Sequence, residues 1–213
     1  MSAALYPVML DVGALRILVV GGGEVAARKV AGLVEAGGRP EIISPEVRDP
    51  VRRLIEGHDL RWHARPYAPW DAVKYRLVFA ATDDPDVNET VASDARVGGA
   101  LWMRADDPDD ASFHVPAHIR HGGVVVAVST GGASPLLARR LRERLEADVT
   151  PGLGRAASRL AGVREEVQAR WPADEGRRRA FWFELITPEF LDLAVAGRDQ
   201  DVEQAIRRCL SQS

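Results

Sequence analysis

"ILVVGGGEVAARKV", residues 17–30, runs four aliphatic residues into three glycines and then into a stretch of helical periodicity. Ile17 to Val20 is an unbroken β-branched and aliphatic run, the pattern of a strand buried on both faces of a parallel sheet. From Glu24 the apolar residues Val25, Ala26, Val30, Leu33 and Val34 recur at helical spacing, and Gly37-Gly38 supplies a stop. Strand, glycine turn and helix follow in order, and Gly21, Gly23 and Ala26 fit the spacing G-x-G-x-x-[G/A]. Glycines at such a turn permit close backbone approach, and a helix N-terminus offers unpaired N–H groups to a pyrophosphate. A dinucleotide is the candidate ligand, with its pyrophosphate expected over Gly21, Gly22, Gly23, Glu24, Val25 and Ala26.

The alternation continues outward from this turn. A second strand is expected over 41–43, a helix over 47–55 ending before Gly57, and a third strand over 60–64. "RLVFAA" at 76–81 reads as a fourth strand, and "TDDPDVN" after it as a helix start, with Pro85 in the first turn and Asp83 or Asp84 as cap. A helix over 85–97 and a fifth strand in "ALWMR" complete the alternation. The fold class that follows is α/β, a Rossmann-like doubly wound parallel sheet. Ligands of such sheets bind outside the carboxyl ends of the strands, which selects Thr82 and Asp83 as cofactor contacts; helix capping is an equal role for both.

From residue 106 the character changes. "DDPDDASFHVPAHIRHGG" is acidic and turn-rich, and "VVVAVS" gives one more strand. Ser134 then reads as an N-cap and Pro135 as a first helical residue, with Leu136, Leu137, Leu141 and Leu145 forming an apolar stripe. Past Pro151 the chain reads as helical to its end, with breaks near "WPADEG" and "ITPEF". His114, His118 and His121 have the spacing H-x3-H-x2-H, but Pro116 and Gly122-Gly123 interrupt it, so no metal site is expected.

Composition excludes several classes. The 213 residues carry a net charge of −3 with a pI near 6.0, so no global field draws nucleic acid or an anionic membrane. Cys209 is the only cysteine, which rules out an internal disulfide and a cysteine-cluster metal site and points to a reducing cytoplasm. Asp11 and Arg16 stand where an export signal would need an apolar core, and no apolar run nears the ~20 residues that span a bilayer.

Three stretches, "YPVMLDVGALRILVVGGGEVAARKVAGLVEAGG", "LVFAATDDPDVNETVASDAR" and "VVVAVSTGGASPLLARRLRERLE", in that order and spacing, closely resemble the precorrin-2 dehydrogenase / sirohydrochlorin ferrochelatase family, which includes the N-terminal module of siroheme synthase. The resemblance covers about residues 6–147. It implies a homodimer in which NAD accepts hydride from the tetrapyrrole precorrin-2 to give sirohydrochlorin, with a ferrous or cobaltous ion inserted by the same protein in bifunctional members. It also implies an NAD-binding domain over 1–113, a dimerisation and substrate segment over 114–150, and a small helical domain over 151–213. Where a Rossmann site carries an acidic residue, "EIISPE" has Ser44, and the resemblance moves the nucleotide contacts to Pro45 and Glu46, with Glu24 and Val25 at the glycine turn.

The resemblance further implies that Asp106 handles protons. Family members read Asn-Val-Val-Asp after the fifth strand; here the stretch is Met103-Arg104-Ala105-Asp106, so the aspartate is kept and its frame is not. Repulsion from Asp107, Asp109 and Asp110 would raise the proton affinity of Asp106, but only slightly in a solvated loop. Strand alternation puts Arg104 on its face, where a guanidinium would oppose an incoming divalent cation. The many carboxylates of the substrate need fixed donors, and "STGGASP" supplies Ser129, Thr130, Gly131, Gly132 and Ser134 at a helix N-terminus. Arg139 with Glu143 and Arg142 with Glu146 pair at i,i+4, which leaves Arg140 as the freer cation. An NAD-binding regulatory or sensor module without catalysis is the alternative, and the second anion-binding turn argues against it. A short-chain dehydrogenase is excluded because no Tyr-x-x-x-Lys occurs. The cluster Phe181, Trp182, Phe183, Leu185 and Phe190 is expected to need a partner subunit to cover it.

Overall fold

All four residues of the first strand, β1 (Ile17–Val20), are buried, and they divide between two cores. Ile17 and Val19 pack with Ala26, Val30 and Leu33, while Leu18 and Val20 pack with Tyr75, Val91 and Ala95. A strand covered on both faces needs no polar alternation, which is why its sequence reads as one apolar run. β4 (Leu77–Ala80) is built the same way, with Leu77 and Phe79 in one core and Val78 and Ala80 in the other.

The computed structural model describes residues 5–212. Tyr6–Val115 forms one compact unit, and the residues from Pro116 onward belong to the other. In the first unit β2 (Glu41–Ile43), β3 (Trp62–His63) and β5 (Leu101–Arg104) join β1 and β4 in a parallel sheet of order β3-β2-β1-β4-β5. One face carries α1 (Glu24–Glu35) and α2 (Asp49–His58); the other carries α3 (Pro85–Val97) and a 3-10 turn over Asp71–Lys74. The strand order reverses beside β1, so the carboxyl ends of β1 and β4 open a crevice between them.

Two boundaries differ from expectation. α2 runs through Gly57 to His58 and stops where Asp59 turns left-handed at φ 49°. A helical glycine costs only about 1 kcal/mol, less than the packing of Val51 and its neighbours returns. β3 shrinks to two residues because Leu60, expected in the strand, instead turns into the core beneath α2.

The second unit opens with an antiparallel hairpin of β6 (Ala117–His121) and β7 (Val124–Val128), turned by Gly122 at φ 58° and Gly123. β6 was not expected: only Ile119 is buried, so "AHIRH" carries almost no apolar signal. The Gly-Gly pair before "VVVAV" is the mark of a hairpin that would have revealed it. On a strand His118 and His121 point to opposite faces. Among the described residues no group of His, Cys, Asp or Glu is arranged to hold a metal.

Five helices follow: α4 (Pro135–Leu145), α5 (Pro151–Arg170), α6 (Glu175–Leu185), α7 (Pro188–Val195) and α8 (Asp199–Gln212). Thr150, Asp174 and Thr187 cap three of them through side-chain oxygens, and Thr150 also donates to the Val195 carbonyl at 2.8 Å. Phe181, Leu185 and Phe190 are buried here against Val163, Val167, Trp171 and Ile206. The aromatic cluster is thus largely covered by its own unit, contrary to expectation, because the helices after α5 wrap it; Phe183 alone of the five stays 71% exposed. Among the described residues no helix is long and apolar enough to cross a membrane.

The backbone of α5 touches the hairpin. A Cβ on Gly154 would lie 2.5 Å from the His121 carbonyl oxygen, whereas one on Gly162, two turns on, would meet nothing within 4 Å. Gly154→Ala is expected to destabilise by about 1–3 kcal/mol through overpacking. Gly162→Ala should be neutral or stabilising by up to about 1 kcal/mol. Thermal unfolding of the two variants checks the contrast.

Candidate functional site

The glycine turn is held by close contacts on two sides. Gly21 has φ 127°, and a Cβ there would lie 2.2 Å from the Ala81 carbonyl oxygen at the exit of β4. A Cβ on Gly22 would lie 2.1 Å from the Glu46 carbonyl oxygen in the β2–α2 loop, and the Arg48 N–H donates to the Gly22 carbonyl at 2.9 Å. Gly23 is different. Its backbone is extended, it is the N-cap of α1 without a side-chain cap bond, and nothing lies within 4 Å of its Cβ position. The first-turn N–H groups of Glu24, Val25 and Ala26 therefore point, with the positive end of the helix dipole, toward open space. A cradle that a side chain would fill, lined by unsatisfied N–H groups, fits the pyrophosphate of NAD.

The neighbouring loops frame this cradle. Ser44 is buried; its hydroxyl donates to the Glu46 carbonyl at 2.6 Å and its own carbonyl accepts from the Trp62 indole at 2.9 Å. Pro45 and Glu46 are thereby held exposed beside Gly22, and Glu46 carries the carboxylate of this loop. After β4 the cap of α3 is Asp84, whose Oδ1 accepts from the N–H groups of Asp86 and Val87, so Asp83 is left exposed and uninvolved in capping. The Thr82 hydroxyl supports that turn, accepting from the Asp84 N–H at 3.2 Å.

Asn88 was not singled out from the sequence, yet it organises this end of the sheet. It is fully buried; its Oδ1 accepts from the N–H and the hydroxyl of Thr82, and its Nδ2 donates to the Thr82 carbonyl at 3.1 Å. It also helps to lower the proton affinity of the Asp106 carboxyl. The available signal was positional: Asn88 is a polar residue within the buried stripe of α3 that contains Val91, Ala92 and Ala95.

Arg104 ends β5 and is only 8% exposed. Its Nη2 donates to Asp106 Oδ2 at 2.9 Å and its Nε lies 3.4 Å from Oδ1, while Nη1 reaches Asp110 at 3.3 Å and also Glu89 of α3. Beyond Asp106 the chain doubles back along β5: Ser112 exchanges hydrogen bonds with Trp102, which places Asp110 within 3.1 Å of the Trp102 indole and 2.8 Å of Arg96. The Arg104 guanidinium beside Asp106, with Asn88 assisting, holds the Asp106 carboxyl below the usual carboxylate range. Burial pushes Asp110 up, but the Trp102 indole, Arg104 and Arg96 outweigh it and hold Asp110 low as well.

Two expectations are corrected by this arrangement. Crowding does not raise the proton affinity of Asp106, because the Arg104 guanidinium stands between it and Asp110 and lowers it instead. Arg104 does lie beside Asp106, but it is no bare cation: Glu89, Asp106 and Asp110 surround one guanidinium, so the neighbourhood does not repel a divalent ion.

The residues expected to meet the substrate lie in the other unit. Gly131 and Gly132 are left-handed, at φ 61° and 85°, and a Cβ on Gly132 would meet nothing within 4 Å. The Thr130 hydroxyl accepts from the Ser134 N–H and donates to the Ser134 carbonyl, both at 3.1 Å; Ser129 Oγ accepts from Gly131 N–H, and Ser134 Oγ caps α4 through Leu137 N–H. Thr130 thus spends its hydroxyl on shaping the turn, whereas Ser129 and Ser134 keep an O–H to donate. Arg140 is not the freer cation: its Nη1 bonds Glu143 at 2.9 Å, and Glu143 also holds Arg139. A helix brings i,i+3 as well as i,i+4 neighbours together, so one glutamate serves both arginines. Leu136, Leu137 and Leu141 of α4 are 63%, 51% and 40% exposed.

A five-stranded parallel sheet with a glycine turn opening onto an uncapped helix N-terminus defines a Rossmann-like dinucleotide-binding protein, and an NAD(P)-binding family model matches residues 8–117. Two further models match the rest, "Sirohaem biosynthesis protein central" over 122–148 and "Sirohaem synthase dimerisation region" over 152–210. The chain belongs to the precorrin-2 dehydrogenase / sirohydrochlorin ferrochelatase family, that of the siroheme synthase N-terminal module. Siroheme synthase of Nitrosomonas europaea is 36% identical over 208 residues, covering 97% of this chain and 44% of that protein. Siroheme synthase of Methylococcus capsulatus is 38% identical over 200 residues, covering 94% of this chain and 42% of that protein. The chain thus spans less than half the length of the curated relatives it matches. The solved structure of SirC, a precorrin-2 dehydrogenase, superposes with a TM-score of 0.76 at 26% identity and covers 95% of this chain and all of that one.

The cradle generates a paired prediction. Gly23→Val fills open space without touching protein, so circular dichroism should stay normal while NAD affinity falls by at least about tenfold, a loss of roughly 1.4 kcal/mol. Gly22→Ala drives a methyl into a backbone carbonyl and should instead lower the melting temperature. Unchanged cofactor affinity in Gly23→Val would remove the pyrophosphate from this turn.

Proposed function

We propose that the chain oxidises precorrin-2 to sirohydrochlorin with NAD as hydride acceptor, and that it works as a homodimer in the cytoplasm. The observation that carries this reading is a carboxylate, Asp106, held ionised by Arg104 and Asn88 in the same unit as the open cradle at Gly23. NAD, when bound, takes up the two electrons of the oxidation as hydride. The chain then has to hold the dinucleotide, hold the macrocycle and accept the proton that leaves with the hydride. The first task falls to the N–H groups of Glu24, Val25 and Ala26, with Pro45, Glu46, Thr82 and Asp83 around them. The last falls to Asp106, which passes the proton to water. For the macrocycle, the turn over Ser129, Thr130, Gly131, Gly132 and Ser134 supports binding of substrate carboxylates, since Ser129 and Ser134 keep hydroxyls to donate at the N-terminus of α4. Arg140 is exposed on that helix and is the cation we assign to a substrate carboxylate, exchanging its bond to Glu143.

The match of residues 152–210 to a dimerisation region and the outward leucines of α4 support the homodimer. A second reading, insertion of a ferrous or cobaltous ion into the product, is compatible with the neutralisation of Arg104 by three carboxylates. A sensor module would bind NAD and turn nothing over.

Incubation with precorrin-2 and NAD, with and without ferrous or cobaltous ion, separates these readings by the visible spectrum. We expect NADH to form, and Asp106→Ala to lower kcat by about 10²-fold or more without changing NAD affinity. Full activity in Asp106→Ala would overturn the proton-accepting role, and light scattering that reports a monomer at micromolar concentration would overturn the dimer.

A further inference from the structure

We propose that Arg104 is a positioning residue of the reaction: by a two-point contact it orients Asp106 and sets the lower pH limit of turnover. The inference rests on the reading of Asp106 as proton acceptor. Arg104 is nearly buried, and every hydrogen bond described for its guanidinium goes to a carboxylate: Asp106, Asp110 and Glu89. A buried guanidinium is tolerated only when paired in this way, and its rigid fork fixes the plane of the carboxylate it faces. Nη2 and Nε engage the two oxygens of Asp106 at 2.9 and 3.4 Å, while Nη1 anchors the group to the chain that returns along β5 and to α3. The anchor is itself braced, since Asp110 is held by Arg96 and by the Trp102 indole, and Arg96 lies 4.9 Å from the centre of the Trp102 ring. The carboxylate can neither rotate nor retreat into solvent without breaking this frame.

The charged groups around the contact decide the direction of the pH effect. Arg104 and Arg96 are the cations; Glu89 on α3 and Asp110 on the returning chain are the anions, with Asp107 and Asp109 on the same loop. With Arg104 present, hydrogen bonds to the ionised form favour it, and Asp106 stays a carboxylate well into acid. Turnover that needs this carboxylate then persists as pH falls and is lost only below the ordinary aspartate value of about 3.9. Without Arg104, Asp106 faces like charges, takes up a proton at higher pH, and the acid limb moves up. A merely structural arginine would lower activity at all pH values alike.

The experiment compares Arg104→Met and Arg104→Lys with the unaltered chain. The acid limb of kcat for NADH formation should rise by about one pH unit in Arg104→Met and by less in Arg104→Lys, which restores the charge without the fork. A second readout needs neither substrate nor NAD: the carboxyl carbon resonance of Asp106, assigned by its loss in Asp106→Asn, should titrate at correspondingly higher pH in both variants. Should Arg104→Met fail to fold, Arg104→Lys carries both measurements. Full NADH formation by Asp106→Asn would overturn the reading on which this rests. An inactive Asp106→Asn together with an unmoved acid limb and an unmoved resonance in the Arg104 variants would overturn the role of Arg104 alone.

Discussion

The N-terminal unit depends on the approach of two glycines to two carbonyl oxygens. Gly21 passes the exit of β4, and Gly22 passes the loop after β2, at distances no Cβ tolerates. That contact lets the chain turn sharply beside the crevice where the strand order reverses, so β1 ends and α1 begins within three residues. The helix consequently starts without a side-chain cap, leaving the N–H groups of its first turn for a ligand. Gly23, by contrast, carries no packing load: its lack of a side chain serves only the space in front of the helix.

The other end of the crevice is governed by charge. Arg104 would be costly so far from water if it stood alone, and Asp106, Asp110 and Glu89 would repel one another without it. Together they form a mutually satisfied cluster, and near it Asn88 fixes the Thr82 turn at the end of β4. Among the described residues no buried side-chain nitrogen or oxygen lacks a hydrogen-bond partner, in keeping with a cluster fixed in one arrangement.

The C-terminal unit follows a different logic. Its aromatic residues are largely consumed by its own core, and the large apolar residues left exposed include the leucine row of α4, Phe183 on α6 and Leu191 on α7. α4 packs on the hairpin through Ala138 while Leu136, Leu137 and Leu141 face outward. A stripe that reads as core in sequence is here surface in the single chain, which is the behaviour expected of a helix completed by another subunit.

Much of this was legible in the sequence because the physics involved is local. Two-faced burial makes β1 and β4 continuous apolar runs, glycine spacing marks the turn, and Ser134-Pro135 marks the start of α4; each signal lies within a few residues of its consequence. Thr82 at the end of β4 follows from the order of a doubly wound sheet, whereas Glu46 comes only from the family resemblance. What the tertiary structure alone decided concerns partners brought from a distance. Arg104 meets Glu89 from across α3 and Asp110 from a loop that folds back, and its guanidinium lowers the proton affinity of Asp106 despite the acidic neighbours. Arg140 finds Glu143, Asn88 finds Thr82, and β6 is a strand only because β7 lies beside it. The sign of a charge effect and the pairing of a weakly apolar strand depend on which groups stand opposite, and that is set by the folded chain.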